Sequence, residues 1–177
     1  MATIVNDSMT SEELITHLGQ KLVAQGMFFA TAESCTGGLV AEECTNISGS
    51  SAWFVGGVVA YANKVKQGVL GVAEHNLINY GAVSEAVVRD MAEGVCRIMN
   101  AQCSVAISGV AGPTGGSPDK PVGTVWIACA VSPENANKTM TKAHCFHFTG
   151  SRNDVRHAAT KAALIMALEQ LDAYTDI

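Results

Sequence analysis

Residues 27–44 read MFFATAESCTGGLVAEEC, an apolar run followed by two glycines and then by a second, partly apolar run. The first run predicts a short buried strand that ends at Ala32 or Glu33, because turn residues bound it. The segment SCTGG at 34–38 then has to change the direction of the chain, and the run from Leu39 to Cys44 predicts a helix. A strand, a glycine turn and a helix N-terminus present unpaired backbone N–H groups to an anion. The stretch therefore predicts a βα unit with a ligand-binding turn.

Helical and strand patterns alternate through the rest of the chain. Thr10 and Glu13 form a capping box for a first helix over roughly residues 10 to 25, which Gly26 ends. Ser84 caps a second long helix, whose apolar residues recur at helical spacing as far as Met99. The other predicted elements are strands at 53–62, 103–109, 124–131 and 140–148, a short helical segment at 63–70 and a closing helix at 151–174.

This order of elements predicts an α/β fold. Strands that alternate with helices pair in parallel, whereas the last two strands are joined only by the turn SPENANK and must be antiparallel. We therefore expect a mixed, mostly parallel sheet of about five strands with helices on both faces. Ligands of such sheets bind beyond the carboxyl ends of the parallel strands. Those ends are SCTGG, YANKVK at 61–66 and ISGVAGP at 107–113.

Composition limits the class of protein. The 177 residues fit one domain, 1–177, with residues 1–9 extended or disordered. The net charge is −5 and the 11 lysines and arginines are scattered, which disfavours binding to nucleic acid. The longest apolar run, around 53–61, is too short to span a membrane.

The compartment follows from the start of the chain and from its cysteines. The opening MATIVNDSMTSEEL lacks the basic and apolar regions of a signal peptide. The 6 cysteines form no CxxC pair, and most of them lie in apolar surroundings, as reduced core cysteines do. We expect a cytoplasmic protein without disulfides.

The stretch from Gly49 to Lys66, GSSAWFVGGVVAYANKVK, places serines and a lysine around one strand. Lys66 has a plain interpretation as a solvated surface residue. If Asn63 caps the helix that follows Tyr61, however, the helix dipole and burial in a cleft would both lower the pKa of Lys66, and its neutral amine could act as a base.

A serine needs such a base to become a nucleophile. Ser50 and Ser51 precede the strand whose far end carries Tyr61, so they meet Lys66 only if the strand is short or the loop folds over it. The plain interpretation of these serines is an ordinary turn, and that of Ser34 is an N-cap.

Other candidate sites are weaker. The glycine-rich loop at 107–123 could aim backbone N–H groups at an oxyanion or phosphate, yet it matches no standard nucleotide motif. Arg152 and Arg156 share a helix face, which suits a phosphate or a surface ion pair equally well. The histidines have no ligand-spaced partner, so no metal or other cofactor is expected. Cys35 could be a reactive thiolate, although no histidine lies nearby in sequence to activate it.

Six ordered blocks of the sequence resemble one known family, the CinA C-terminal domain, whose members are nicotinamide-nucleotide amidohydrolases. The blocks cover nearly the whole chain, which resembles the form of the family that stands alone without a larger N-terminal domain. They are TAESCTGG at 31–38, GSSAWF at 49–54, YANKVK at 61–66, GAVSE at 81–85, ISGVAGPTGGSPDKPVGTVW at 107–126 and RNDVR at 152–156.

The resemblance implies a three-layer α/β/α sandwich that hydrolyses the carboxamide of nicotinamide mononucleotide to nicotinate mononucleotide and ammonia. It implies a metal-free Ser/Lys hydrolase with Ser51 as the nucleophile, Lys66 as the base and Tyr61 in the catalytic site, and with Ser34 as the alternative nucleophile. The implied substrate-binding residues are Thr36, Gly37, Gly38, Asn63, Ser108, Gly109, Gly112 and Arg152. A small nucleotide is thus the expected partner, with no nucleic acid or membrane, and a homo-oligomer is compatible with so small a domain.

The chain departs from the commoner family pattern at three positions. Ala62 stands in place of serine, Lys64 in place of glutamate, and Ser108 in place of a frequent threonine. Ser108 keeps the hydroxyl, whereas Ala62 and Lys64 raise an alternative function, a nucleotide-binding module of the same fold with weak or no turnover.

Overall fold

The computed structural model describes residues 8–132 and 139–175. Residues 1–7 of the predicted extended start, and residues 133–138 of the predicted hairpin turn, lie outside the described residues. The strands are β1 (Phe29–Glu33), β2 (Phe54–Val59), β3 (Cys103–Gly109), β4 (Thr124–Val131) and β5 (Met140–His147); the helices are α1 (Ser11–Gln25), α2 (Leu39–Asn46), α3 (Asn63–Gly68), α4 (Glu74–Tyr80), α5 (Glu85–Met99) and α6 (Arg152–Thr175), with a short 3₁₀ turn at Ser50–Ala52.

The strands form a five-stranded mixed sheet in the order β2-β1-β3-β4-β5. β1 lies between β2 and β3 and is parallel to both. β4 is antiparallel to β3 and to β5, so β4 alone among the described strands runs against the others. The predicted mixed sheet and the antiparallel β4–β5 pair are confirmed. The loop at 110–123 also reverses the chain, which the sequence prediction did not include.

Helices cover both faces of the sheet, as predicted. Apolar residues of α1, α2 and α6 form one buried core with Val105 and Ile107 of β3. Apolar residues of α5 form the second core, with partly buried side chains of α3 and α4 packed against it. The second face of the sheet is lined by small side chains, Ala30, Ala32, Ala106, Ala128 and Ala130.

The predicted helix ends are confirmed where local signals define them. The Thr10–Glu13 capping box opens α1, and Gly26 ends it in the left-handed conformation with φ 65°. The Ser84 side chain accepts a hydrogen bond from the backbone N–H of Val87 at the start of α5. Helix α4 was not predicted as a separate element. No helix in the described ranges is long and apolar enough to cross a membrane.

The strand directions decide where a site can form. β1, β2 and β3 run the same way and end at one edge of the sheet, which we call the carboxyl edge. Three loops meet there: residues 34–38 after β1, 60–62 after β2 and 110–123 after β3. The 3₁₀ turn at Ser50–Ala52 precedes β2 and so lies at the opposite edge.

Candidate active site

Lys66 is the most unusual residue at the carboxyl edge, because its side chain is only 1% exposed. Its Nζ atom lies 2.6 Å from the carbonyl oxygen of Ala60 and 3.2 Å from that of Tyr61. The third neighbour is Ser34 Oγ, at 3.0 Å. Among the described residues no carboxylate forms an ion pair with Lys66. The amine is therefore held by hydrogen bonds alone.

Burial lowers the pKa of the Lys66 amine below its ordinary value. A neutral amine has two hydrogens and one lone pair, which matches this environment. The two carbonyls of Ala60 and Tyr61 take the hydrogens, which leaves the lone pair to accept the hydroxyl hydrogen of Ser34. A protonated amine could instead donate to all three oxygens. The geometry thus accommodates a proton that moves from Ser34 to Lys66 without displacement of heavy atoms.

Backbone contacts hold Ser34 in this position. Its N–H donates to the carbonyl oxygen of Ile107 at 2.9 Å, which ties the turn after β1 to β3. Arg156, from α6, donates to the carbonyl oxygens of Cys35 and Thr36 at 3.1 and 2.9 Å. The sequence prediction left the role of Arg156 open between a phosphate ligand and a surface ion pair. In the structure Arg156 has neither role. Its two hydrogen bonds to backbone carbonyls instead fix the turn that carries Ser34.

The N-terminus of α2 is occupied by a side chain of the protein itself. The Glu33 carboxylate, 1% exposed, accepts hydrogen bonds from the N–H groups of Gly38, Val40 and Ala41 at 2.9, 3.2 and 2.9 Å. The predicted anion site at this turn is therefore not supported. A carboxylate from β1 already satisfies the donors that the sequence pattern assigned to a ligand.

Ser34 and Lys66 open into a cleft of about 200 Å³. Seven predicted site residues line it: Ser34, Tyr61, Asn63, Lys66, Ser108, Gly109 and Arg152. Thr36, Gly37, Gly38 and Gly112 are not among the lining residues, although the carbonyl oxygen of Gly112 accepts a hydrogen bond from Arg152 at 2.8 Å.

Ser51 lies far from this cleft. It belongs to the exposed 3₁₀ turn before β2, whereas Lys66 follows the other end of that strand. Six strand residues separate the two positions, a span of roughly 20 Å at about 3.3 Å per residue. The pairing of Ser51 with Lys66 is thus not supported by the geometry, because β2 is extended and its loop does not fold back. Ser34, the alternative nucleophile, is the serine that contacts Lys66.

The remaining predicted residues have definite surroundings. Arg152 also lies 3.5 Å from the Tyr61 hydroxyl, and Ser108 donates to the carbonyl oxygen of Ala82 at 2.8 Å. Asn63 is the first residue of α3 rather than its cap, so the predicted cap was wrong; the N-cap is Ala62, which makes no side-chain hydrogen bond.

The sequence prediction missed the part of the cleft formed by Ala82 and Val83. The block GAVSE at 81–85 was the available signal, but its apolar side chains suggested no chemistry. Cys35 also lines the cleft, and burial raises the pKa of its thiol to about 11. The thiol is therefore protonated at neutral pH, which removes Cys35 as a thiolate nucleophile. The described residues hold no group of three His, Cys, Asp or Glu side chains suited to a metal ion.

The sequence is similar to those of known proteins over most of its length. Residues 11–171 match the sequence model of the CinA C-terminal domain. The nicotinamide-nucleotide amidohydrolase PncC of Escherichia coli K12 is 48% identical over 159 residues, which are 88% of this chain and 93% of PncC. A CinA-like protein of Thermotoga maritima is 44% identical over 170 residues, which are 96% of this chain and 38% of the longer relative.

Two crystal structures share the fold over nearly the whole chain. The competence damage-inducible protein A of Klebsiella pneumoniae superposes with a TM-score of 0.85 at 34% identity and covers 94% of this chain and 99% of its own. The competence/damage inducible protein of Agrobacterium tumefaciens has a TM-score of 0.83 at 37% identity and covers 99% of both chains. The chain belongs to the CinA C-terminal domain family.

Proposed function

We propose that this chain hydrolyses the carboxamide of nicotinamide mononucleotide to nicotinate mononucleotide and ammonia, with Ser34 as the nucleophile and Lys66 as the general base. The observation that carries the proposal is the 3.0 Å contact between Lys66 Nζ and Ser34 Oγ inside a cleft at the carboxyl edge. The substrate class comes from the nicotinamide-nucleotide amidohydrolase of Escherichia coli K12, to which the chain is 48% identical.

The first half of the reaction forms an acyl-enzyme. Ser34 Oγ attacks the amide carbon while its proton passes to the neutral Lys66 amine. Arg152 and backbone N–H groups of the surrounding turns are the candidate donors to the oxyanion of the tetrahedral intermediate. The Lys66 ammonium then gives its proton to the amide nitrogen, the C–N bond breaks, and ammonia leaves the ester on Ser34.

The second half returns the enzyme to its starting state. Lys66, neutral again, takes a proton from a water molecule, which attacks the ester carbon. The ester C–O bond breaks, Ser34 Oγ recovers its proton from Lys66, and nicotinate mononucleotide is released. The substrate itself favours this cycle, since a cationic pyridinium ring in the cleft opposes a second positive charge on Lys66.

Two residues that differ from the commoner family pattern, Ala62 and Lys64, can be explained by their place in the structure without reference to the substrate. Ala62 and Lys64 are exposed, and neither lines the cleft. Ala62 is the N-cap of α3, so the serine found there in the commoner pattern would cap the helix. We therefore expect Ala62 to weaken the start of α3 rather than to abolish turnover.

The test is ammonia release from nicotinamide mononucleotide by the purified chain, with a chelator present and no metal added. We expect turnover by the natural chain and a fall of about 10²- to 10⁴-fold in Lys66→Met, as for removal of a general base. Lys64→Met is the matched control, because it removes a neighbouring exposed lysine. Tight binding of the mononucleotide without ammonia release would contradict the proposal and favour the nucleotide-binding module.

A further inference from the structure

A second and larger cavity adjoins the catalytic cleft. It measures about 730 Å³, and Val83 lines both spaces. The two are also joined across the sheet, because Ser108 of the cleft pairs in register with Trp126 of the larger cavity. Side chains directly opposite each other on antiparallel strands lie on the same face. The two cavities are therefore neighbours on one face of the sheet.

The catalytic cleft is too small for a whole mononucleotide. Sites for ligands of that size measure about 300–1,000 Å³, whereas the cleft measures about 200 Å³. The carboxamide must reach Ser34, so the part of the substrate farthest from the amide has to extend out of the cleft. The cavity beyond Val83 is the adjoining space in the described structure that can accept it.

Three groups near the catalytic pair that could bind an anion already have partners or roles, and one of them is Arg152, which donates to the carbonyl oxygen of Gly112 and is the proposed oxyanion donor inside the cleft. The N–H groups at the start of α2 are bonded to Glu33, and the Arg156 guanidinium is bonded to two carbonyls. Of the two cations that line the larger cavity, Arg89 forms an ion pair with Glu85. Lys120 is the other, and the described residues place no carboxylate within ion-pair distance of it.

Lys120 lines the larger cavity and contacts the segment of chain that leads into the cleft. Its Nζ donates to the carbonyl oxygen of Tyr80 at 2.5 Å and lies 3.5 Å from where a Cβ on Gly81 would be. Gly81 immediately precedes Ala82 and Val83, which line the cleft. An ammonium with one carbonyl partner keeps two further N–H donors for an anion.

We infer that Lys120 binds the phosphate of the substrate, and that the cavity lined by Tyr80, Arg89, Lys120 and Trp126 receives the ribose phosphate while the nicotinamide ring occupies the cleft. This inference rests on the proposed function. It assigns Lys120 to specificity, because a phosphate contact distinguishes the mononucleotide from its riboside without touching the reacting amide.

The test compares kcat/KM for nicotinamide mononucleotide and for nicotinamide riboside in the natural chain and in Lys120→Ala. A hydrogen bond between charged groups is worth roughly a 10- to 100-fold change in affinity. We expect the preference for the mononucleotide over the riboside to fall by that factor in Lys120→Ala, mainly through KM. Lys120→Arg should recover most of it, and Lys142→Ala, which removes an exposed lysine at the opposite edge of the sheet, should keep the preference.

Two outcomes would overturn the inference. One is a natural chain with no preference for the mononucleotide, and the other is a preference that survives in Lys120→Ala. If the preference survives because kcat/KM falls equally for both substrates, Lys120 only anchors Tyr80. If the natural chain releases no ammonia from either compound, the proposed function fails by itself, and the same comparison is made by calorimetric Kd values for the two ligands.

Discussion

The chain contains two serine turns that look alike in sequence, SCTGG at 34–38 and GSS at 49–51, and their surroundings in the folded protein differ completely. Ser34 is 8% exposed and contacts a buried lysine, whereas Ser51 is exposed in a 3₁₀ turn. The first turn follows β1 and the second precedes β2.

The difference comes from strand direction. β1 and β2 are parallel, so the residues after β1 lie beside those after β2, while the residues before β2 lie at the other edge. Lys66 follows β2 and therefore meets the turn of Ser34. Two serines in similar local sequence thus acquire different surroundings from the direction of the neighbouring strand.

The largest expected effect is the difference in kcat between variants that lack one or the other of these two serines. Ser34→Ala should lower kcat for ammonia release by about 10⁴- to 10⁶-fold, because it removes the proposed nucleophile. The kcat of Ser51→Ala should stay within about twofold of that of the natural chain, because an exposed turn residue contributes little to the cleft. Steady-state kinetics measures both, and circular dichroism checks that each variant is folded. Full loss in Ser51→Ala together with activity in Ser34→Ala would reverse the assignment.

The pH dependence of the reaction also distinguishes Ser34 from Ser51, because of the two serines only Ser34 has the proposed base beside it. In the proposed mechanism the neutral form of Lys66 is the active form, so kcat/KM should fall about tenfold per pH unit below the pKa of Lys66 and level off above it. Burial lowers that pKa, so the plateau should begin below the ordinary range of lysine. The bound pyridinium should move the corresponding limb of kcat to still lower pH.

Profiles of kcat and kcat/KM against pH, measured at constant ionic strength, check this prediction. A flat profile through the acid and neutral range, or an activity that decreases as pH rises there, would contradict a neutral amine as the base. A hydroxyl activated by no base would give no such limb, which is the behaviour expected for a serine placed like Ser51.

The smallest expected effect concerns the carboxylate beneath the Ser34 turn. Glu33→Gln keeps the shape of the side chain but replaces an acceptor oxygen with an N–H₂ group that faces a backbone donor. We expect the free energy of unfolding to decrease by about 1.5–3 kcal/mol, the range for hydrogen bonds to a charged group. Glu42→Gln removes an equal charge from the exposed first turn of the same helix and should cost less than about 1 kcal/mol. Urea denaturation measures both, and equal losses would show that Glu33 acts only through its charge.

Much of the fold could be predicted from local patterns. The capping box at Thr10 and the serine at 84 defined helix starts, and short apolar runs bounded by turn residues defined β1 and β3. The direction of β4 relative to β3 could not be predicted in this way, because the long glycine-rich loop at 110–123 is compatible with either direction.

The site was harder to predict for a related reason. Lys66 was recognised as a base candidate, but its partner depends on which strand ends lie side by side. The choice of Ser51 came from the family resemblance, because the residues alone left its distance from Lys66 open. Arg156 was not assigned because its partners are backbone carbonyls distant in sequence. Glu33 was not assigned because the backbone N–H groups that it binds were expected to bind a ligand. The roles of Ser34, Lys66 and the other site residues stay predictions.

The amine of Lys66 is held by the carbonyl oxygens of residues 60 and 61, and this has a consequence for how the protein tolerates change. Every amino acid supplies the same carbonyl, so substitutions at these two positions leave both acceptors in place as long as the chain follows its path. A scan of all single substitutions should therefore detect the two side chains of the proposed proton transfer, Ser34 and Lys66, but not its two carbonyl acceptors. Effects at Ala60, which is buried, or at Tyr61, which lines the cleft, would come from their side chains. The path of the backbone positions both acceptors, and no exchange of side chains removes them.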